Sequence, residues 1–394
     1  MAPVTNRGPA GEQPVACVLG NTNLIRALGL GGIRCAPVAR RNSPPAFSRF
    51  VDARVEWADN WGNPEQLLRN LLDFAERTPT TPVLFYQHDG DLMFVSRNRE
   101  ALANHMRFVI GDQSLIEDLV DKTRFCELAR RTGLPVPPST VVRPHRGDPL
   151  PDLDLEYPII LKPLTRRDRE WRPIAGAAKA VEVDSPAELR ELWPQLAEHG
   201  VDLVAQQLVP GEEDRIESYH AYVDERGEVA GEFTGRKLRT LPRRLGDTTA
   251  LTITDEPDVR ELGRRCLRML DLRGVAKLDF KRGPDGTLFL FEVNARFNLW
   301  HLPGAIAGVN LPALVYADLT GTPRPPVGPV RPGVTWSLPW KDLRAARESG
   351  MSPAAWLAWQ ARSDSRHVMA LDDPMPFVRG MLWRHARRRL RLRR

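Results

Sequence analysis

Residues 275–281 and 287–294 alternate apolar and polar side chains and are separated by Gly283-Pro284-Asp285-Gly286. Alternating runs joined by a Gly/Pro/Asp turn are a hairpin signal, and they fix which side chains share a face. Leu278 and Phe280 point one way; Lys277, Asp279 and Lys281 point the other. Across the turn, Phe291 and Val293 alternate with Glu292 and Asn294. The hairpin thus sets an acidic residue of one strand against Glu292 and Asn294 of the next. Carboxylates packed together repel unless a cation or proton lies between them. Magnesium, bound through carboxylates and substrate phosphates, meets that need. The alternative is an exposed face whose acids pair with Lys277 and Lys281.

The rest of the chain reads as mixed α/β. Apolar strands at 15–19, 35–39 and 82–86 alternate with helices opening at Leu24 and covering 65–77. Strand, helix, strand, helix, strand is the pattern of a parallel layer, and this unit closes near residue 110. Helical stretches at 114–119 and 122–131 follow, stopped by Gly133 and nearby prolines. Strands are predicted at 157–163, 178–183, 201–207, 216–224 and 228–239. Helices are predicted at 186–198, 257–270 and 312–319, the first opened by a Ser185…Glu188 capping box. Beyond Pro323 the chain is rich in Pro and Trp, and its elements are not legible.

Three further segments carry chemistry. Lys162 sits among Ile159, Ile160, Leu161 and Pro163; an ammonium buried there needs an anion or a cavity, and phosphate supplies the anion. Lys122 opens a helix and, on composition, reads first as a solvated helix lysine and second as a functional one. Gln206 to Gly211 is a strand running into a turn, able to offer main-chain groups to an adenine edge, or else a plain surface turn. Thr234 to Arg239 places cations on a strand, either as an anion site or as a charged edge.

In order and spacing these pieces resemble the ATP-grasp superfamily, in its branch of predicted carboxylate–amine ligases that includes D-aspartate ligase-like proteins. The motifs are Asp121-Lys122, Leu161-Lys162-Pro163, Gln206 to Gly211 with Glu213, Gly235 to Arg239 with Pro242, Lys277 to Lys281, and Phe291 to Phe297. Gly308 to Pro312, with Tyr316, Thr320 and Gly321, matches the helix after the metal hairpin. The resemblance implies an α/β (α+β ATP-grasp) fold: a disordered leader at 1–13, an N-terminal parallel α/β pre-ATP-grasp domain at 14–111, and an ATP-grasp domain at 112–322. The last divides into 122–208, which includes a lid, and 209–322, which binds metal; together they clamp ATP. Residues 323–394 form a Trp/Pro-rich and basic helical extension.

The same resemblance implies the roles. Lys122 and Lys162 hold ATP phosphates. Gln206, Gln207, Leu208 and Val209 face adenine, largely through main chain. Glu213 accepts from the ribose hydroxyls, with Asp214 as alternate. Asp279, Glu292 and Asn294 bind magnesium, for which manganese is a substitute. Arg296 stabilises the transferred phosphoryl group, and Lys237 or Arg236 touches the γ-phosphate. The implied activity joins a small-molecule carboxylate, activated as an acyl phosphate, to an amine. The alternative is an ATP-binding protein that does not ligate. It is motivated by the lid region after Lys162, which carries one glycine, Gly176, and several arginines. The first metal ligand is also Asp279 where many relatives carry Glu.

Composition closes other classes. Cys17, Cys35, Cys126 and Cys266 are dispersed, which argues against a zinc site or disulfide framework and fits a reducing cytosol. No apolar run approaches the ~20 residues of a membrane span. The turn Gly20-Asn21-Thr22-Asn23 lacks the dinucleotide fingerprint, and no nucleophile elbow is present. The formal charge is +6, but eight arginines and no acid fall within 379–394. The remaining 48 basic residues face 50 acidic ones, so a general nucleic-acid surface is unexpected. That tail, with Phe377, Met381, Trp383 and Leu390, allows a weakly amphipathic helix for peripheral contact with anionic lipid or nucleic acid, or a solvated helix end.

Overall fold

The computed structural model describes residues 13–164, 168–176, 178, 180–211, 215–243 and 246–383. The leader before residue 13, parts of the lid segment, Glu213, Asp214 and the tail after residue 383 lie outside the described residues.

Three sheets organise the chain. The first is parallel, built from β1 (Ala16–Leu19), β2 (Cys35–Ala39), β3 (Val55–Glu56) and β4 (Val83–Tyr86) in the order β3-β2-β1-β4. β1, β2 and β4 are buried on both faces, as a covered parallel sheet requires, while Glu56 of the edge strand β3 is exposed. Asn21 accepts from the Asn23 amide at 2.9 Å and so starts helix Thr22–Leu30 directly after β1. The second sheet is antiparallel, with β5 (Ser139–Val142), β6 (Ile159–Pro163), β7 (Val181–Val183) and β8 (Leu203–Gln207) in the order β5-β8-β6-β7. Helix Pro186–His199 covers it through Leu189, Trp193 and Leu196. Ser185 caps that helix, but Glu188 reaches back to the Asp184 amide, so the box closes one residue upstream of its expected donor.

The third sheet contains β9 (Ile216–Val223), β10 (Val229–Leu241), β11 (Asp247–Thr254), β12 (Gly274–Arg282), β13 (Leu288–Asn294), β14 (Thr335–Ser337) and β15 (Ser365–Arg366). Their order is β13-β12-β9-β10-β11-β14-β15. β10 is therefore interior, and the charged-edge reading of 234–239 is wrong: β9 and β11 flank it. One face packs Tyr219, Ala221, Leu278 and Phe280 against helix Pro257–Met269. The other packs Tyr222, Phe233, Leu251 and Ile253 against Phe297, Trp300 and helices Thr22–Leu30 and Leu311–Thr320. This second face turns polar toward the β12–β13 hairpin.

The region unread in the sequence adds β14, β15 and helices Pro339–Glu348 and Pro353–Arg362, and extends the third sheet. The chain then returns to the first unit. Buried Asp373 accepts from Arg26 at 3.2 Å, from Ser48 at 2.7 Å and from the Arg49 amide at 2.9 Å. Among the described residues no helix is long and apolar enough to cross a membrane.

Candidate active site

The hairpin register is Asp279 opposite Glu292 and Lys277 opposite Asn294, with an irregularity after Asp279. On its other side β12 pairs with β9, setting Asp279 against Ser218 and Lys277 against His220. Residues directly opposite share a face, so Ser218, His220, Lys277, Asp279, Glu292 and Asn294 line one surface. Gly235 of β10 joins it opposite Ser218. The Trp300 ring lies so close there that a Cβ on Gly235 would be 2.5 Å away, which explains a glycine directly before Arg236 and Lys237.

Asp279 is buried and surrounded by donors. Lys277 Nζ lies 2.6 Å and Lys237 Nζ 3.4 Å from its Oδ2, and Ser218 Oγ donates to Oδ1. Burial alone would raise the Asp279 carboxyl, but the two ammoniums and these hydrogen bonds outweigh it and hold it well below the usual carboxylate range. Burial, partly offset by Asp279, lowers Lys277. Glu292 is exposed beside this cluster and Asn294 is buried. Arg296 Nη2 donates to Asn294 Oδ1 at 2.8 Å, while its Nε reaches Asp89 and its Nη1 the Gln87 carbonyl at 3.1 Å. Arg296 thus ties the hairpin to the carboxyl end of β4, the kind of edge where open parallel sheets take ligands.

The second sheet supplies another cation pair. Asp121 caps helix Lys122–Thr132 by accepting from the Arg124 amide at 3.0 Å. Lys122 is left at the helix start, where the dipole disfavours a cation, and it donates to the Pro163 carbonyl. Lys162 Nζ donates to Gln206 Oε1 at 2.7 Å and sits 5.3 Å from the centre of the Phe291 ring. Burial and the neighbouring Lys122 bring Lys162 down to about 8, against the raising effect of Glu292. Lys122, Lys162 and Gln206 therefore stand on one side, and Asp279, Asn294, Lys237 and Arg296 on the other, with Phe291 and Glu292 between.

The linker differs from its expected use. The Gln207 amide donates to the Pro138 carbonyl and the Leu208 amide to the Pro158 carbonyl, each at 2.9 Å. These two donors are taken, the Gln206 side chain is held by Lys162, and Val209 is buried. Any adenine contact there runs through the other groups of the segment. In the lid segment, helix Asp168–Ala175 buries Trp171, whose Nε1 donates to the Ala178 carbonyl at 2.8 Å. Lys277, Ser218 and His220 were not assigned site roles from the sequence. Strand alternation already put Lys277 on the acidic face; Ser218 and His220 needed the β9–β12 pairing.

The donor set suits a hard cation. Two carboxylates and one amide oxygen share a face, and the ammoniums on Asp279 stand on flexible stems that can yield. Among the described residues no cluster of three or more His, Cys, Asp or Glu could hold a metal unaided.

No family model matches the chain. A structure of N5-carboxyaminoimidazole ribonucleotide synthetase, in complex with ADP, superposes with a TM-score of 0.63 at 16% identity, covering 86% of each chain. An L-amino acid ligase from Bacillus licheniformis gives 0.59 at 18% identity, covering 82% of this chain and 78% of that one. In sequence, the D-aspartate ligase of Enterococcus faecium (strain Aus0004) is 26% identical over 288 residues, covering 70% of this chain and 68% of the relative. These likenesses show the ATP-grasp fold. The chain's three sheets are those of that fold.

Proposed function

We propose that this protein is an ATP- and magnesium-dependent ligase of the ATP-grasp superfamily that activates a carboxylate as an acyl phosphate and joins it to an amine, the acid or the amine being an amino acid or related small molecule. The observation that carries the reading is the hairpin face: Asp279, Glu292 and Asn294 together, with Lys237, Lys277 and Arg296 directly beside them. The sequence likeness to a protein named D-aspartate ligase supports the substrate class.

Asp279, Glu292 and Asn294 would hold magnesium, which supplies positive charge to phosphate oxygens. The protein's own groups do the rest. Lys122 and Lys162 would pair with phosphates from the second sheet. Lys237 and Lys277, once released from Asp279, carry the charge needed to bring an anionic carboxylate toward an anionic phosphoryl group. Arg296, fixed by Asp89 and the Gln87 carbonyl, presents a planar cation at the junction with the first sheet, where it can stabilise charge on the transferred group. The carboxylate oxygen forms a bond to the γ-phosphorus and ADP leaves; the amine then forms the amide and phosphate leaves. Closure must exclude water, which would hydrolyse the acyl phosphate.

The test is a phosphate-release screen of amino acids and small carboxylates with ATP and magnesium. ADP and phosphate should form only when acid and amine are both present, and Glu292→Gln should abolish the signal. A fully active Glu292→Gln would sink the metal assignment. Nucleotide binding without product across the panel would favour the non-ligating alternative.

A further inference from the structure

Four of the eleven exposed large apolar side chains among the described residues fall within twelve positions of each other: Leu371, Met375, Val378 and Leu382. Their spacing is four, three and four, which places Met375, Val378 and Leu382 on one side of the helical segment formed by Met375–Phe377 and Val378–Trp383. The opposite side is anchored. Asp373 and Pro376 are buried, Asp373 holding Arg26 and Ser48, and Gly380 lies so tightly on Pro44 that a Cβ would come within 2.5 Å of its Cα. The segment is therefore clamped to the first unit and presents its apolar row outward. Arg40, Arg41 and Arg49 are exposed on the flanks of the Pro44–Phe47 turn beneath it. Asp372, the one exposed acid in the segment, faces Arg49 at 3.6 Å. The sequence then runs on through the eight arginines of 379–394 with no acid.

We propose that this outward row and the adjoining arginines dock the protein on an anionic lipid surface. An interfacial segment needs an apolar face to enter the boundary between headgroups and acyl chains, and cations to meet the headgroups. Among the described residues the apolar row and the exposed Arg40, Arg41, Arg49 and Arg379 stand on one support, the first unit. Each basic residue close to an anionic membrane strengthens binding roughly fivefold at physiological salt. The lipid reading is favoured over nucleic acid by the row itself. Leu, Met and Val cannot stack a base, whereas single-strand binders pair their cations with aromatic platforms.

The experiment is vesicle sedimentation with the full chain, comparing phosphatidylcholine vesicles containing about 30% phosphatidylglycerol with pure phosphatidylcholine. The full chain should bind the anionic vesicles and not the neutral ones, and binding should fall steeply with salt. Combined Met375→Ser, Val378→Ser and Leu382→Ser should weaken it at least tenfold with an unchanged unfolding midpoint, and so should deletion of 384–394. If the triple variant unfolds, Leu371→Ser alone, at a fully exposed position, should still weaken binding about threefold. Equal binding by the wild type and the serine variants would overturn the proposal. So would a full chain that ignores anionic vesicles but binds single-stranded RNA.

Discussion

Asp279 and Asp342 are both buried carboxylates neutralised by cations, and the way each is held separates a structural pair from one that can exchange partners. Asp342 is fully buried on helix Pro339–Glu348. Arg239 grips it with two parallel bonds of 2.8 Å, Thr249 donates at 2.9 Å, Trp356 at 2.9 Å, and Gln360 at 3.3 Å. Trp359 lies 4.2 Å from the Arg239 guanidinium. Every donor here is directional, and the guanidinium fork matches the carboxylate. Asp279 has two lysines instead: point charges on four-carbon stems, one of them at 3.4 Å. Lysines can swing away when a cation and phosphates arrive; the Arg239 fork cannot leave without stranding a buried charge.

The sharpest way to break this contrast is to neutralise each acid in turn. Asp342→Asn leaves Arg239 buried without its counter-charge and should cost about 3–5 kcal/mol of stability, read by denaturant unfolding. Asp279→Asn should leave stability much closer to wild type while lowering ADP formation on the order of a thousandfold. If Asp279→Asn unfolds the protein as readily as Asp342→Asn, the distinction between a structural and an exchangeable pair is wrong.

The contrast also shows what a sequence makes legible. The polar face of the β12–β13 hairpin could be written down in advance, because alternation and a four-residue turn are local facts. The same holds for helix Lys122–Thr132 between Asp121 and Gly133, whose cap and left-handed stop lie within the segment. Ser218 on Asp279 could not be read, since the two are 61 residues apart and meet only when β9 pairs with β12. Arg239 and Asp342 are 103 residues apart, and Asp342 sits in a stretch whose two strands have three and two residues, too short to show a period. β11 is a different case: Asp247–Thr254 is rich in β-branched residues, so its strand signal is local. The turn after Gln207 is legible from Pro210-Gly211, yet which amides of the segment remain open depends on Pro138 and Pro158 from elsewhere in the fold.

A smaller effect sharpens the comparison on the side of the second sheet. Lys162 is brought down to about 8 by burial and Lys122, while the unfolded lysine titrates near 10.4. Between these values the ligand-free folded protein binds fewer protons than the unfolded chain, so this group makes stability rise with pH from about 8 to about 10.4. Nucleotide binding runs the opposite way. Below about pH 8 the ammonium is already charged; above it, pairing with phosphate must take up a proton, so affinity should fall as pH rises. Calorimetry at about pH 9, in buffers of different ionisation heat, should show proton uptake on ATP binding, and at about pH 6.5 none. Lys162→Met should remove the uptake. Uptake that persists in that variant would assign it to another group.

The smallest effect concerns His220, beside Lys277 on the same face. Its ring is fully buried, stacked on Phe233 at 4.6 Å and tilted against Trp300 at 5.0 Å. Neither ring nitrogen has a hydrogen-bond partner among the described residues. Burial, then Lys277 and His301, push its pKa well below the ordinary value, so the imidazole is neutral. A buried polar group left unsatisfied costs about 1–3 kcal/mol, whereas an apolar ring of similar shape carries no such penalty. His220→Phe should therefore hold stability level or raise it by about 1 kcal/mol in denaturant unfolding. A loss of 2 kcal/mol or more would mean that the nitrogens are engaged, by water or by a neighbour. If stability rises while ADP formation falls, the imidazole is retained at the expense of the fold because substrate uses it, which would extend the exchangeable side of the comparison from Asp279 and its lysines to the floor beneath them.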